Sequence, residues 1–290
     1  MFKNSGSILS IIFLGLLLSV IYINFEGSLF TFDNERHYSK IIDQCSQVDW
    51  IGCEEYPLIY SWIAQFFVDN IYSFMIFNFF LTLIVFPITI SFITKNWSFG
   101  LLFLLYSNLG VLTLNVGTYP TLLALILWIT FYLNKNPYIR IFLLIIGTLT
   151  HNGIYLALIA TWLLEYLVKL NWKNILPATF SSPFEFKYNL DQILAQLPEH
   201  FDLYLKSGFI ISYLIGLRQF LIEKKYELII LFFISLILSI SILRIVYFAI
   251  FIAMWGFAKF YEQQDNSTKY KILAVGVIYK IFMVYFILDL

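Results

Sequence analysis

Long apolar runs, separated by short polar breaks, constrain this chain more than any other feature. They cover 8–25, 71–94, 98–115, 119–134, 140–169, 207–222, 226–243, 245–261 and 271–288. About 20 consecutive apolar residues suffice for a helix to span a bilayer. Charged residues make up 12% of the chain, against about 25% in a soluble domain. The mean hydropathy is +0.81. The expected fold class is therefore an all-α polytopic integral membrane protein of about nine transmembrane helices. A single integral membrane domain is expected over 1–290. The formal net charge of zero gives no sign of a nucleic-acid partner.

The first run is longer than the apolar core of a secretory signal, and no small-x-small cleavage site precedes Glu26. It reads as a retained first span. The run 140–169 is too long for one straight crossing and contains T-H-N-G at Thr150–Gly153. One kinked crossing is expected there, with two half-helices as the alternative. Lys3, Lys95, Lys135, Arg140, Lys224, Lys225, Lys269 and Lys271 fall on one set of ends, which basic residues mark as cytoplasmic. Acids crowd the opposite side between Glu26 and Glu55. The expected address is the plasma membrane, multi-pass, with a cytoplasmic N-terminus. The first extracytoplasmic loop would be 26–56 and the second 170–206. An interfacial helix is expected over Tyr56–Asn70, after the first outer loop. In the second loop Leu190, Ile193, Leu194 and Leu197 have the spacing of an amphipathic helix.

Arg244 stands inside I-L-R-I-V-Y-F. A guanidinium in an apolar run costs several kcal/mol unless it is paired or faces water or protein. In this topology it shares a side with Asp33, Glu35, Arg36 and His37 of the loop T-F-D-N-E-R-H-Y. His151, beside Asn152, is another polar group in apolar surroundings. Cys45 and Cys53 share the first loop and are read either as a disulfide or as two thiols. No histidine stands at zinc-ligand spacing from them.

Four pieces occur in order: D-N-E-R-H-Y at 33–38, E-E-Y-P-L-I-Y at 54–60, T-H-N-G around His151, and L-R-I-V-Y-F around Arg244. This arrangement resembles the EpsG-like family of exopolysaccharide proteins. More broadly it resembles the GT-C superfamily of membrane glycosyltransferases, including Wzy-type polymerases. The likeness covers roughly 30–260. An arginine that such proteins often carry after the middle spans is replaced here by N-V-G-T-Y-P-T. The resemblance implies a polyprenyl-phosphate or polyprenyl-diphosphate sugar donor, a glycan or lipid acceptor, the lipid bilayer as surroundings and a glycan-assembly complex as partner. It implies that Asp33 activates the acceptor hydroxyl and that Arg244 holds the donor phosphate.

Sugar transfer needs a base for the acceptor and a stabiliser for the departing phosphate. Arginine meets phosphate oxygens through paired hydrogen bonds. Arg36 and His151 are further candidates for the phosphate. Glu35, His37, Tyr38, Glu55 and Tyr247 are candidates for substrate contact. Each also has a plain reading: a solvated loop charge for Glu35 and Arg36, a helix-start acid for Glu55, and packing for Tyr247. Lys280 reads as structural. No D-x-D pair occurs in the first loop, and D-N-E offers too few oxygens for a hard cation. No metal and no cofactor are expected. The competing functions are a transporter or flippase of lipid-linked glycans, a cysteine peptidase, and a non-catalytic subunit of a glycan-assembly complex.

Overall fold

The computed structural model describes residues 5–24, 71–108, 118–150, 154–169, 208–239 and 246–287. These form helices α1 (Ser5–Asn24), α2 (Ile71–Phe80), α3 (Phe86–Thr94), α4 (Trp97–Tyr106), α5 (Thr118–Leu133) and α6 (Pro137–Thr150). They continue with α7 (Ile154–Lys169), α8 (Ile210–Ile222), α9 (Tyr226–Ser239), α10 (Val246–Glu262) and α11 (Asn266–Ile287). A π-turn at Leu81–Val85 joins α2 to α3. The extended pairing among the described residues is one antiparallel bridge, Ser107 with Gly208.

The all-helical expectation holds for the described residues, but the expectation of nine transmembrane spans does not. No helix among them is long and apolar enough to cross a membrane. Two of the apolar runs hold shorter helices than their composition suggests. Within 98–115 the helix ends at Tyr106 after 10 residues, and within 207–222 the helix has 13. At about 1.5 Å per residue these fall well short of a bilayer core of about 30 Å. The longest helix, α11, has 22 residues but carries Lys269, Lys271 and Lys280. The multi-pass plasma-membrane address is corrected on the same ground.

The run 140–169 is also not one kinked rod. It is two helices of 14 and 16 residues, α6 and α7. Arg140, near the start of α6, bonds Glu165, near the end of α7. The two helices are therefore antiparallel neighbours. The interfacial helix expected at Tyr56–Asn70, the amphipathic helix at 190–197 and both cysteines lie outside the described residues.

α10 is the central helix, buried on all sides over most of its length. Phe251 packs against Phe86, Phe99, Phe103 and Trp128, with ring centroids 5.4–6.4 Å apart. α8 lies closest to it because two glycines face each other. A Cβ on Gly216 would stand 1.9 Å from the Ala253 carbonyl oxygen, and one on Gly256 would stand 2.2 Å from that of Gly216. The π-turn has a local cause. Pro87 has no N–H to donate to the Leu83 carbonyl, so the ladder shifts register and Phe86 N–H bonds Leu81. Gly15 of α1 packs on that freed carbonyl, where a Cβ would come within 2.4 Å.

Tight turns at 95–96, 134–136, 223–225 and 263–265 join successive helices. Cross-links hold them at one end. Tyr132 donates to Glu227 at 2.7 Å, and Lys259 meets Glu223 at 2.6 Å. Lys95, Lys135, Lys224, Lys225 and Lys269 gather on or beside these turns. Those of the sequence-marked basic residues that lie among the described ones thus gather at one end of the bundle. Helices leaving this end place Ile71, Thr150, Ile154, Ser239 and Val246 at the opposite end, where Ser107 bridges Gly208.

Candidate functional site

Two polar clusters interrupt the apolar interior. The first clamps the lysine end. Arg140 is buried on the inner face of α6, while Ile141, Phe142 and Ile145 point outward. Its Nη2 donates to both Glu165 oxygens at 2.8 and 3.0 Å. Its Nε donates to the carbonyls of Asn134 (2.6 Å) and Phe131 (3.2 Å). The last carbonyls of a helix lack partners in their own ladder, and a cation suits that negative end. Lys135 adds a third bond to Glu165, at 2.8 Å. Arg140 and Glu165 are buried and bonded to each other, so the cluster reads as a structural tie.

The second cluster, at the opposite end, is different. Lys280 of α11 is buried. Its Nζ donates to the Ser107 carbonyl and to Asn108 Oδ1, both at 2.8 Å. Ser107 caps the C-terminus of α4, so the amine occupies a position that favours a cation. Asn108 is fully buried, and its Nδ2 donates to Tyr279 Oη at 3.2 Å. No carboxylate among the described residues pairs with the amine. Burial pulls Lys280 down from the usual lysine range to about 7. The Tyr279 phenol is pushed up to about 12 by burial, which Asn108 partly offsets. Tyr106 is also raised to about 12 by burial, and its hydroxyl donates to the Ile272 carbonyl.

Beside this cluster Tyr106, Phe209 and Tyr279 pack ring against ring at 5.1–6.4 Å. Tyr106 and Phe209 also wall a cavity of about 210 Å³ between α8, α10 and α11. Ile215, Phe257, Phe260 and Ile272 make its apolar sides, with Thr268 and Lys271 among its polar residues.

Of the sequence-predicted site residues, Tyr247 alone lies within the described residues. It is buried in the first turn of α10. Asp33, Glu35, Arg36, His37, Tyr38, Glu55, His151 and Arg244 lie outside them. From sequence, Lys280 reads as structural. The signal for more was a lone lysine within the apolar stretch V-I-Y-K-I-F. Its partners Ser107 and Asn108 stand more than 170 positions away, which no local pattern reports. Among the described residues, no group of His, Cys, Asp and Glu is arranged to hold a metal ion. Comparison with protein-family models, curated proteins and solved structures found no match to this chain.

Proposed function

We propose that this chain transfers a sugar from a polyprenyl-phosphate or polyprenyl-diphosphate donor to a glycan or lipid acceptor. The observation that carries the reading is the sorting of the bundle into two unlike ends. Tight turns and committed ion pairs occupy one. The other receives Ile71, Thr150, Ile154, Ser239 and Val246. The stretches bearing Asp33 to Glu55, His151 and Arg244 adjoin those helix ends in the chain. A carboxylate, a histidine and an arginine are the groups the reaction needs, and the motif order resembles that of EpsG-like proteins.

In this mechanism the acceptor hydroxyl oxygen attacks the anomeric carbon and its proton passes to the Asp33 carboxylate. The bond from the anomeric carbon to the phosphate oxygen breaks, and its electron pair leaves with the phosphate. Charge builds on that oxygen as the bond lengthens, so Arg244, aided by Arg36 and His151, stabilises the departing group most in the transition state. Glu35, His37, Tyr38, Glu55 and Tyr247 orient the sugars. Tyr247 opens α10, whose N-terminus carries the positive end of the helix dipole.

Complementation of a deletion strain, read as surface glycan, tests this reading. Asp33→Asn and Arg244→Ala are expected to abolish glycan at normal protein level, and Cys45→Ser with Cys53→Ser to leave it unchanged. Normal glycan with both charge variants would remove the assignment.

A further inference from the structure

α11 packs on α4. A Cβ on Gly276 would stand 2.6 Å from the Tyr106 ring, and the Tyr106 hydroxyl donates to the Ile272 carbonyl. α8 is drawn instead to α10 by the facing glycines Gly216 and Gly256. The space left between α8 and α11 is the cavity of about 210 Å³. Its floor is buried, where Tyr106 and Phe257 pack edge to face at 5.0 Å. Its mouth is open. Val275 is 46% exposed, and Lys271, one turn before it on α11, is exposed as well. A molecule can therefore enter along that face of α11.

The hydroxyls in the walls are turned to the backbone. Tyr106 is bonded to Ile272, and Ser212 Oγ donates to the Phe209 carbonyl at 2.6 Å. The walls thus offer an occupant apolar contact. Lys271 is the one charged residue lining the cavity. The acids of the same corner have other neighbours. Glu262 lies in the field of Lys269 and Lys259, and Asp265 accepts from the Thr268 N–H at 3.4 Å. The volume exceeds the roughly 150 Å³ of an apolar cavity that takes up benzene. It suits one alkyl chain rather than the two of a diacyl lipid.

We propose that this cavity binds a medium-chain fatty acid. The alkyl tail lies between α8 and α11 on Tyr106 and Phe257, and the carboxylate pairs with the Lys271 ammonium at the mouth. One ammonium answers one carboxylate, whereas a phosphomonoester brings a second charge that the described lining residues do not meet. Burial of the tail supplies the affinity, and Lys271 supplies the preference for an anion. The inference does not rest on the sugar-transfer reading.

Calorimetric titration of the full chain with decanoate at neutral pH, where its carboxylate is ionised, tests it. Decyltrimethylammonium and decyl phosphate are the comparisons of equal chain length. Decanoate is expected to bind saturably at one site, about fivefold more tightly than decyltrimethylammonium, the scale an exposed charge supports. Val275→Trp sets a large ring at the exposed mouth. It is expected to abolish the one-site binding with the fold retained, which thermal unfolding checks. Lys271→Gln is expected to weaken decanoate about threefold, and Lys271→Glu to reverse the preference between the two oppositely charged probes. Absence of saturable one-site binding would overturn the proposal. So would equal affinity for the two oppositely charged probes, one-site binding that persists in Val275→Trp, or an unchanged preference in Lys271→Glu. Tighter binding of decyl phosphate than of decanoate would overturn the assignment to a carboxylate.

Discussion

At the scale of single residues, the two buried cations show how placement decides what a charge does. Arg140 is answered by Glu165 and by the carbonyls that end α5. Removing it strands a carboxylate only 9% exposed, with Lys135 as its remaining partner. Arg140→Met is expected to cost about 3 kcal/mol, as breaking a buried pair does. Lys135 is 62% exposed, so Lys135→Met should cost under about 1 kcal/mol. Denaturant unfolding of the two variants checks the order. Lys280 has the opposite character. Burial lowers its folded proton affinity to about 7, from about 10.5 for an exposed lysine. Between those values the unfolded chain binds more protons, so stability rises with pH across the window. The unfolding temperature is expected to climb from pH 7 to 9.5 and to stay flat in Lys280→Met. Measurement should stop there. Tyr106 and Tyr279 have raised affinities near 12, and the stability they contribute is lost as pH rises above 10.

At the scale of elements, close approach and broken register matter more than apolar content. Gly216 and Gly256 let the backbones of α8 and α10 touch, and an added methyl has backbone on its far side. Gly216→Ala is expected to destabilise the fold by about 3 kcal/mol or more, since neither backbone can yield locally. Thermal unfolding beside a control at Gly6, which has open space around it, measures this. The helices themselves were legible from their apolar runs, because apolar residues mark where a helix is covered. Their limits were not. T-H-N-G marked the break between α6 and α7, but folding back depends on Arg140 finding Glu165, a contact between two helices. The π-turn needed Pro87, visible in the sequence, together with Gly15 on α1, which is not a local signal.

At the scale of the whole molecule, large apolar side chains are exposed while a few charged and polar ones are buried in an otherwise apolar interior. Phe13, Phe92, Leu163, Ile237 and Phe282 face outward, while Arg140, Glu165, Asn108 and Lys280 face inward. Apolar exposure on this scale marks surfaces that contact other matter. The folded chain is accordingly expected to bind an environment-sensitive apolar dye in its native state. Dye release before the unfolding transition would contradict that. The gathering of the described lysines at one end of the bundle was legible in the sequence. The cluster around Lys280 was not, because Ser107, Asn108 and Tyr279 meet only in the folded bundle. The most direct test of sugar transfer is incubation of the purified chain with a polyprenyl-diphosphate-linked sugar and a glycan acceptor, following free polyprenyl diphosphate and elongated glycan together. Equal release of both by the wild type, lost in Asp33→Asn, is the expected result. No transfer by the wild type, or transfer unaffected by Asp33→Asn, would contradict the account.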